Sequence, residues 1–382
     1  MLKNKKLLLK RLFISILFLF TLTGLFASGK QEAEASSEVS SEEISINITD
    51  MRGRTVSLPA TADKVIALGA GSLRLVSYLD AADKVIAVED AGHGREKSEY
   101  MFSNLATYRL AHPEYKDLPS IGSSENHEGI IAAEPDLIIS SAIDVAQLDQ
   151  LQQVLDIPVF AVDVDVEFYD TDTFYTELEK LGKILGKEER ASELVSGIKS
   201  AMLDLQARSE KVLDPKNAYA GGMMYYGPAD LFRTTGDYIP FDFTGTKNVM
   251  PTNPTGNLQP YMTSLEDVIA ASPDYVFIDS ANINLSKSGF ADNKQVLEEE
   301  VPAFSEKQVY STFVYKYYGT NWENQLINVY YVGNILYPDL FSDITVKDKA
   351  EEIWNLFFNK SLDYDTVVAK QKGGPGQVDW FN

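Results

Sequence analysis

The sequence predicts an α/β chain of two compact units, each a mostly parallel sheet with helices on both faces. Three observations point there. At 382 residues the chain is longer than one hydrophobic core usually serves. Short apolar runs rich in branched residues alternate with helical stretches, the pattern of strand, helix and parallel strand. One phrase also occurs twice. "HEGIIAAEPDLIIS" from His127 and "LEDVIAASPDYVFI" from Leu265 share Glu128/Glu266, Ile131/Ile269, Ala132/Ala270, Ala133/Ala271, Pro135/Pro273 and Asp136/Asp274, at a constant offset of 138 residues.

The elements follow in order. Residues 1–29 read as a signal peptide, a basic stretch followed by an apolar run from Leu12 to Phe26 and then small residues. That run is short for the ~20 residues of a membrane span. The chain has no cysteine, so export brings neither disulfides nor a lipid-modified cysteine at the end of "GLFASGK". Residues 30–44, rich in Ser, Glu and Ala, read as a flexible tether. "ISINITDMRGRTVSLP" alternates apolar and polar residues around Arg52-Gly53 and predicts a hairpin. "KVIALG", "KVIAVED", "DLIIS" and "IPVFAVDV" predict buried strands of a first lobe over 45–169. Residues 170–213 carry one long helical pattern with a break near Gly186, a connector between lobes. "NAYAGGMMYYG", "DYVFIDS" and "QVYSTFVY" restart the strands of a second lobe over 214–382. Helices near Asn321 to Leu336 and Val346 to Phe358 close it, with "KGGPGQVDWFN" as a loose tail.

In each copy of the repeated phrase the segment from Glu to the alanines fits an amphipathic helix, buried through Ile130/Val268 and Ile131/Ile269 and ended by Pro-Asp. Pro-Asp can be turn chemistry alone. Glu128 and Glu266 sit in the first helical turn, where the helix dipole favours a carboxylate. The dipole does not require the same residue at matching places in both lobes. Two equivalent acidic knobs suggest two equivalent receptors.

"ITDMRGRTVSLP", "KVIALGAGSLRLVSYL", "EGIIAAEPDLII", the central helix and "LEDVIAASPDYVFI", in this order, resemble the iron-siderophore and vitamin B12 class of solute-binding proteins for ABC importers. The resemblance runs from about Ile44 to about Leu362. "YRLAHPEYKDLPSIG" and "YKYYGTNWENQLINVYYVGNILYPDLF" look like its iron-transporter branch, although Tyr317 stands where that branch commonly has tryptophan. The resemblance implies two Rossmann-like lobes joined by a single long rigid α-helix, with the ligand in the cleft between them. It implies that Glu128 and Glu266 meet arginines of a permease dimer, itself driven by an ATPase. A monomeric, extracytoplasmic carrier without a cofactor of its own is the expected form.

Loops at the carboxyl ends of strands line such clefts. In the first lobe these bring Ser72, His93, Arg109 and His112 to the site. All three histidines, His93, His112 and His127, fall in these loops, but separations of 19 and 15 residues match no compact metal motif. In the second lobe Tyr225, Tyr226, Arg233, Tyr315, Tyr317, Tyr318, Asn321 and Trp322 make an aromatic and hydrogen-bonding wall. Aromatics pack on an organic chelator, and Arg109 and Arg233 can pair with an anionic complex, so the set suits a ferric chelate better than a bare ion. Haem, cobalamin and an oxyanion such as molybdate or tungstate are the alternatives.

Other functions fit less well. A net charge of −22 offers no basic stripe for nucleic acid. An enzyme built on two α/β lobes would need a nucleophile or phosphate loop, and the chain has no cysteine, no Walker or dinucleotide glycine motif and no serine elbow. A sensory or adhesive protein of this fold would not need both glutamates.

Overall fold

The computed structural model describes residues 45–89, 105–225, 227–253, 255, 259–371 and 374–381. The expected signal peptide and tether, His93 and Tyr226 lie outside the described residues. The predicted hairpin is formed by β1 (Ser45–Thr49) and β2 (Thr55–Pro59), antiparallel with Ile46 opposite Leu58 and Ile48 opposite Val56. Its turn is organised by buried Asp50, whose carboxylate accepts from the amides of Arg52 and Arg54, both at 2.9 Å.

The first lobe contains β3 (Val65–Leu68), β4 (Val85–Glu89), β5 (Ser120–Gly122), β6 (Leu137–Ser140) and β7 (Val159–Ala161), all parallel, in the order β5-β4-β3-β6-β7. The chain winds outward from β3 to β5 and then crosses back to β6, which puts a topological switch point beside β3. The second lobe contains β8 (Asn217–Gly221), β9 (Arg233–Thr234), β10 (Lys247–Asn248), β11 (Tyr261–Met262), β12 (Tyr275–Asp279), β13 (Val309–Thr312) and β14 (Gly376–Gln377). Its main sheet runs β10-β8-β12-β13-β14, parallel except for β14, and β9 with β11 forms a small antiparallel pair. This is the predicted α/β architecture of two lobes.

Strand residues alternate between two cores, as the two-residue period of a strand demands. Val65, Ala67, Leu137 and Ile139 of the first sheet and Phe277 of the second join one apolar cluster that continues from lobe to lobe. Ile66, Leu68 and Ile138 face a separate outer cluster with Leu148 and Val159, and Val276 and Ile278 face another with Tyr219, Phe290 and Trp380. Both faces are therefore covered, which explains why the strands read as unbroken apolar runs.

Two expectations are corrected. The connector is two helices, Thr171–Leu185 and Glu188–Ser209, the first ended by Gly186 at φ 62°. They fold back on one another: the Lys199 ammonium lies 4.8 Å from the centre of the Tyr175 ring. In one straight helix those residues would stand ~36 Å apart. Gly182 allows the tight corner, because a Cβ there would lie 2.7 Å from that of Ala191. Only the second helix leads onward. Near its start Arg190 donates to the carbonyls of Tyr78 and Leu356, and near its end Arg208 pairs with Asp343 at 2.6 Å. The expected loose tail is docked instead. It supplies β14, and Trp380 and Phe381 pack on Phe290 with ring centres 5.6 and 5.2 Å away.

Candidate ligand cleft and docking carboxylates

At the carboxyl ends of the second sheet the chain leaves β8 through Met224, β12 through Ala281 and β13 through Val314. These three, with Leu105 of the first lobe, form a small apolar cluster that Tyr317 links to the main core. Beneath it lies Asp279, the last residue of β12 and only 2 % exposed. Its carboxylate accepts from the amides of Ala281 at 2.9 Å and Met224 at 3.4 Å. Burial pushes its pKa up to about 7, against the opposing pull of those amides. Nearby, Asn282 donates to the Gly222 carbonyl at 2.8 Å and fixes the exit from β8.

Packed on this cluster through Tyr317 is a short strap, Tyr317–Thr320, held against the first lobe through its main chain. The Thr320 amide donates to the Val164 carbonyl at 2.8 Å. The Arg74 guanidinium donates to the carbonyls of Tyr317 and Tyr318, the latter at 2.6 Å. On the first-lobe side Glu89, at the end of β4, ties two loops together by accepting from the amides of Gly69 at 2.7 Å and Ser124 at 2.9 Å. Lys316 pairs with Glu167 across the junction.

The expected ligand residues divide by depth. Tyr317 and Tyr318 are half-buried on the strap with ring centres 4.6 Å apart, edge to face, and Tyr225 is half-buried at the exit from β8. Half-buried Arg233 donates to the carbonyls of Tyr225 and Gly227, both at 2.8 Å, so it shapes the tyrosine loop. The others lie inside, bonded to or packed on neighbouring residues. Trp322 is sandwiched between Phe168 and Phe174, ring centres 4.1 and 3.9 Å away, and its indole N–H donates to the Val166 carbonyl at 3.1 Å. Tyr315 is buried against Tyr238, and burial raises its phenol well above the ordinary range. Asn321 donates to the Val314 carbonyl at 3.1 Å, and the Ser72 hydroxyl to the Leu68 carbonyl at 2.7 Å. Arg109 is buried over the rings of Tyr108 and Tyr115. His112 stacks on Tyr115 beside Glu114, with its pKa lowered chiefly by burial. Among the described residues no group of three or more His, Cys, Asp or Glu is arranged to hold a metal ion.

Sequence reasoning missed Arg74, Asp279, Glu89, Leu105 and Met224. Two of them left a trace. Arg74 is the one cation in "GSLRLVSYL", in a helix whose every residue from Ser72 to Tyr78 is buried, and Asp279 directly follows the apolar run "YVFI".

Glu128 and Glu266 occupy the same place in their helices, His127–Ala132 and Leu265–Ala271: each is the second helical residue, and both are exposed. Ile130 and Val268 are fully buried beneath them, while Ile131 is 46 % exposed and contributes less to the buried side than its position suggested.

These features define two α/β lobes that meet at the carboxyl ends of their strands. Residues 65–313 match the family described as "Periplasmic binding protein", and the chain belongs to that family. It is a solute-binding protein of the ABC-importer type and not an enzyme. A petrobactin-binding protein of Bacillus subtilis is 23% identical over 301 residues, 76% of this chain and 86% of that one. Among solved structures, the molybdate-binding MolA of Haemophilus influenzae shares the fold at a TM-score of 0.64 and 17% identity, covering 83% of this chain and 99% of that one. A siderophore-binding protein bound to ferric iron and two molecules of acinetobactin does so at 0.53 and 18% identity, over 75% and 95%.

Proposed function

We propose that this protein captures a ferric chelate outside the cytoplasm and delivers it to an ABC importer. The observation that carries the reading is the chemistry of the cleft. Its rim is the half-buried Tyr225, Tyr317 and Tyr318, backed by half-buried Met224 and the buried apolar side chains of Leu105, Ala281 and Val314. Such a surface removes a large organic ligand from water and meets its polar edge with phenols. A bare oxyanion would instead draw on converging N–H donors. The names of the petrobactin-binding relative and the acinetobactin-binding structure support a chelate, and that of the molybdate binder supports the alternative. Ser72, Arg109, His112, Tyr315, Asn321 and Trp322 shape this surface from behind, and His93 and Tyr226 complete the expected set. In this reading residues 1–29 are removed on export and 30–44 form a tether. The lobes span 45–169 and 214–382, and the monomer carries no cofactor of its own. Glu128 and Glu266 each engage one permease subunit.

Titration of the purified chain with Fe(III)-loaded petrobactin, followed by tryptophan fluorescence, tests it. Saturable one-to-one binding is expected, with molybdate at least about a hundredfold weaker. Saturation by molybdate without response to the ferric complex overturns the chelate reading.

A further inference from the structure

We propose that Arg74, a cation of the first lobe, is a positioning residue that fixes the Tyr317–Thr320 strap of the second lobe and so aims Tyr317 and Tyr318 into the cleft. Arg74 is 1 % exposed, and a buried cation is tolerated only where acceptors surround it. Here the acceptors are main-chain carbonyls: Tyr317, Tyr318 at 2.6 Å and Thr320 at 3.4 Å, with the Tyr108 ring centre 5.3 Å from the guanidinium carbon. Carbonyls converge on one fork only if the strap turns sharply. It does so through two consecutive left-handed residues, Tyr318 at φ 55° and Gly319 at φ 83°. A bulky aromatic in that region is held there by its surroundings.

The surroundings leave the strap no latitude. A Cβ at Gly319 would lie 2.4 Å from the Val164 carbonyl oxygen, and one at Gly71 would lie 2.5 Å from the Tyr318 carbonyl oxygen. Arginine suits the task because its planar fork reaches several acceptors at once, whereas a lysine ammonium is a single point donor. The ligand arm of the inference rests on the chelate-binding reading above, and the strap arm does not.

The test compares Arg74→Lys with the unchanged chain by amide hydrogen exchange and by binding of Fe(III)-petrobactin. The Thr320 amide is expected to exchange at least about tenfold faster, with the interior of the Trp322–Leu336 helix unchanged. Binding should weaken about 10- to 100-fold, the range for losing charge-assisted hydrogen bonds. When Tyr317 and Tyr318 are both alanine, Arg74→Lys should cost less than about twofold, because it acts through those rings. Gly319→Ala, which moves the strap while keeping the cation, should reproduce both effects and serves if Arg74→Lys does not fold. Unchanged exchange at Thr320 in either variant, or an equal affinity loss with and without the tyrosines, overturns the proposal. If the tyrosine double variant binds as well as the unchanged chain, the chelate reading of the rim fails, while exchange still decides what Arg74 holds.

Discussion

The two copies of the repeated phrase share their backbone solution and differ in how they reach it. In both, the residue before Pro-Asp is left-handed, Glu134 at φ 53° and Ser272 at φ 46°. In both, the following Asp joins its strand to the neighbour: the Asp136 amide donates to the Lys64 carbonyl at 2.8 Å and the Asp274 amide to the Asn217 carbonyl at 3.1 Å. The helix starts differ. Asn126 caps the first copy by accepting from the Gly129 amide, whereas Ser264 and Asp267 form a reciprocal capping box in the second. Packing and turn chemistry thus account for the repeated Pro-Asp and for the buried position beneath each helix. Beyond the general preference of a helix start for a carboxylate, they leave the repeat of Glu128 and Glu266 unexplained, since both are exposed and each helix is already capped. What repeats without a structural reason is the candidate for a shared partner.

The comparison can be broken first at the buried position. Ile130→Ala removes a fully buried side chain and should cost about 2–5 kcal/mol, and Val268→Ala should cost less because it removes fewer carbons. Chemical denaturation measures both, and a neutral Ile130→Ala would mean the first helix is not anchored as described.

A second asymmetry lies where each copy ends. The second closes on buried Asp279, while the same offset in the first places Ser141. With its folded pKa raised by burial to about 7, Asp279 binds a proton in the folded chain that the unfolded chain has already released. Its contribution therefore makes stability fall as pH rises from about 4 to about 7 and level off above, by a few kcal/mol at most. Asp279→Asn should flatten that slope in denaturation midpoints measured from pH 4 to 8. A slope identical to that of the unchanged chain would show that the carboxylate is ionised throughout.

The smallest effect on stability is expected at the glutamates. Glu128→Lys and Glu266→Lys should each change it by less than about 0.5 kcal/mol, with ligand affinity untouched. Transport should nevertheless drop partially for each and collapse for both, because two weak exposed pairs on one body act together. Full uptake by the double variant would reduce the repeat to its backbone role.

The sheets were legible because strands covered on both faces read as apolar runs whatever surrounds them. The connector was misread because Leu178, Leu181 and Leu185 before Gly186 and Leu194, Ile198 and Leu205 after it each keep helical spacing, although the step from Leu185 to Leu194 turns the apolar stripe to the opposite face and marks the break. The tail was missed because β14 pairs only two residues, with a partner more than 60 positions earlier. In the site, residue types were legible and depth was not. Trp322 and Tyr318 are near neighbours in sequence, yet one is stacked between Phe168 and Phe174 and the other sits on the strap. Arg74 was passed over because a cation beside apolar residues reads as a solvated edge until the other lobe's carbonyls are seen around it.

The core that runs from lobe to lobe bears on how the chain folds. Tyr78 of the first lobe packs against Phe357 and Phe358, ring centres 4.9 and 5.6 Å away and some 280 residues later. The first lobe therefore cannot complete its inner face while it is being synthesised, and an N-terminal half alone would present that face to water. Contacts of such long range slow folding, because the intervening chain must be ordered before they form. From residue 45 onward the described residues form one compact unit, and the shared core makes the stability of each lobe depend on the other.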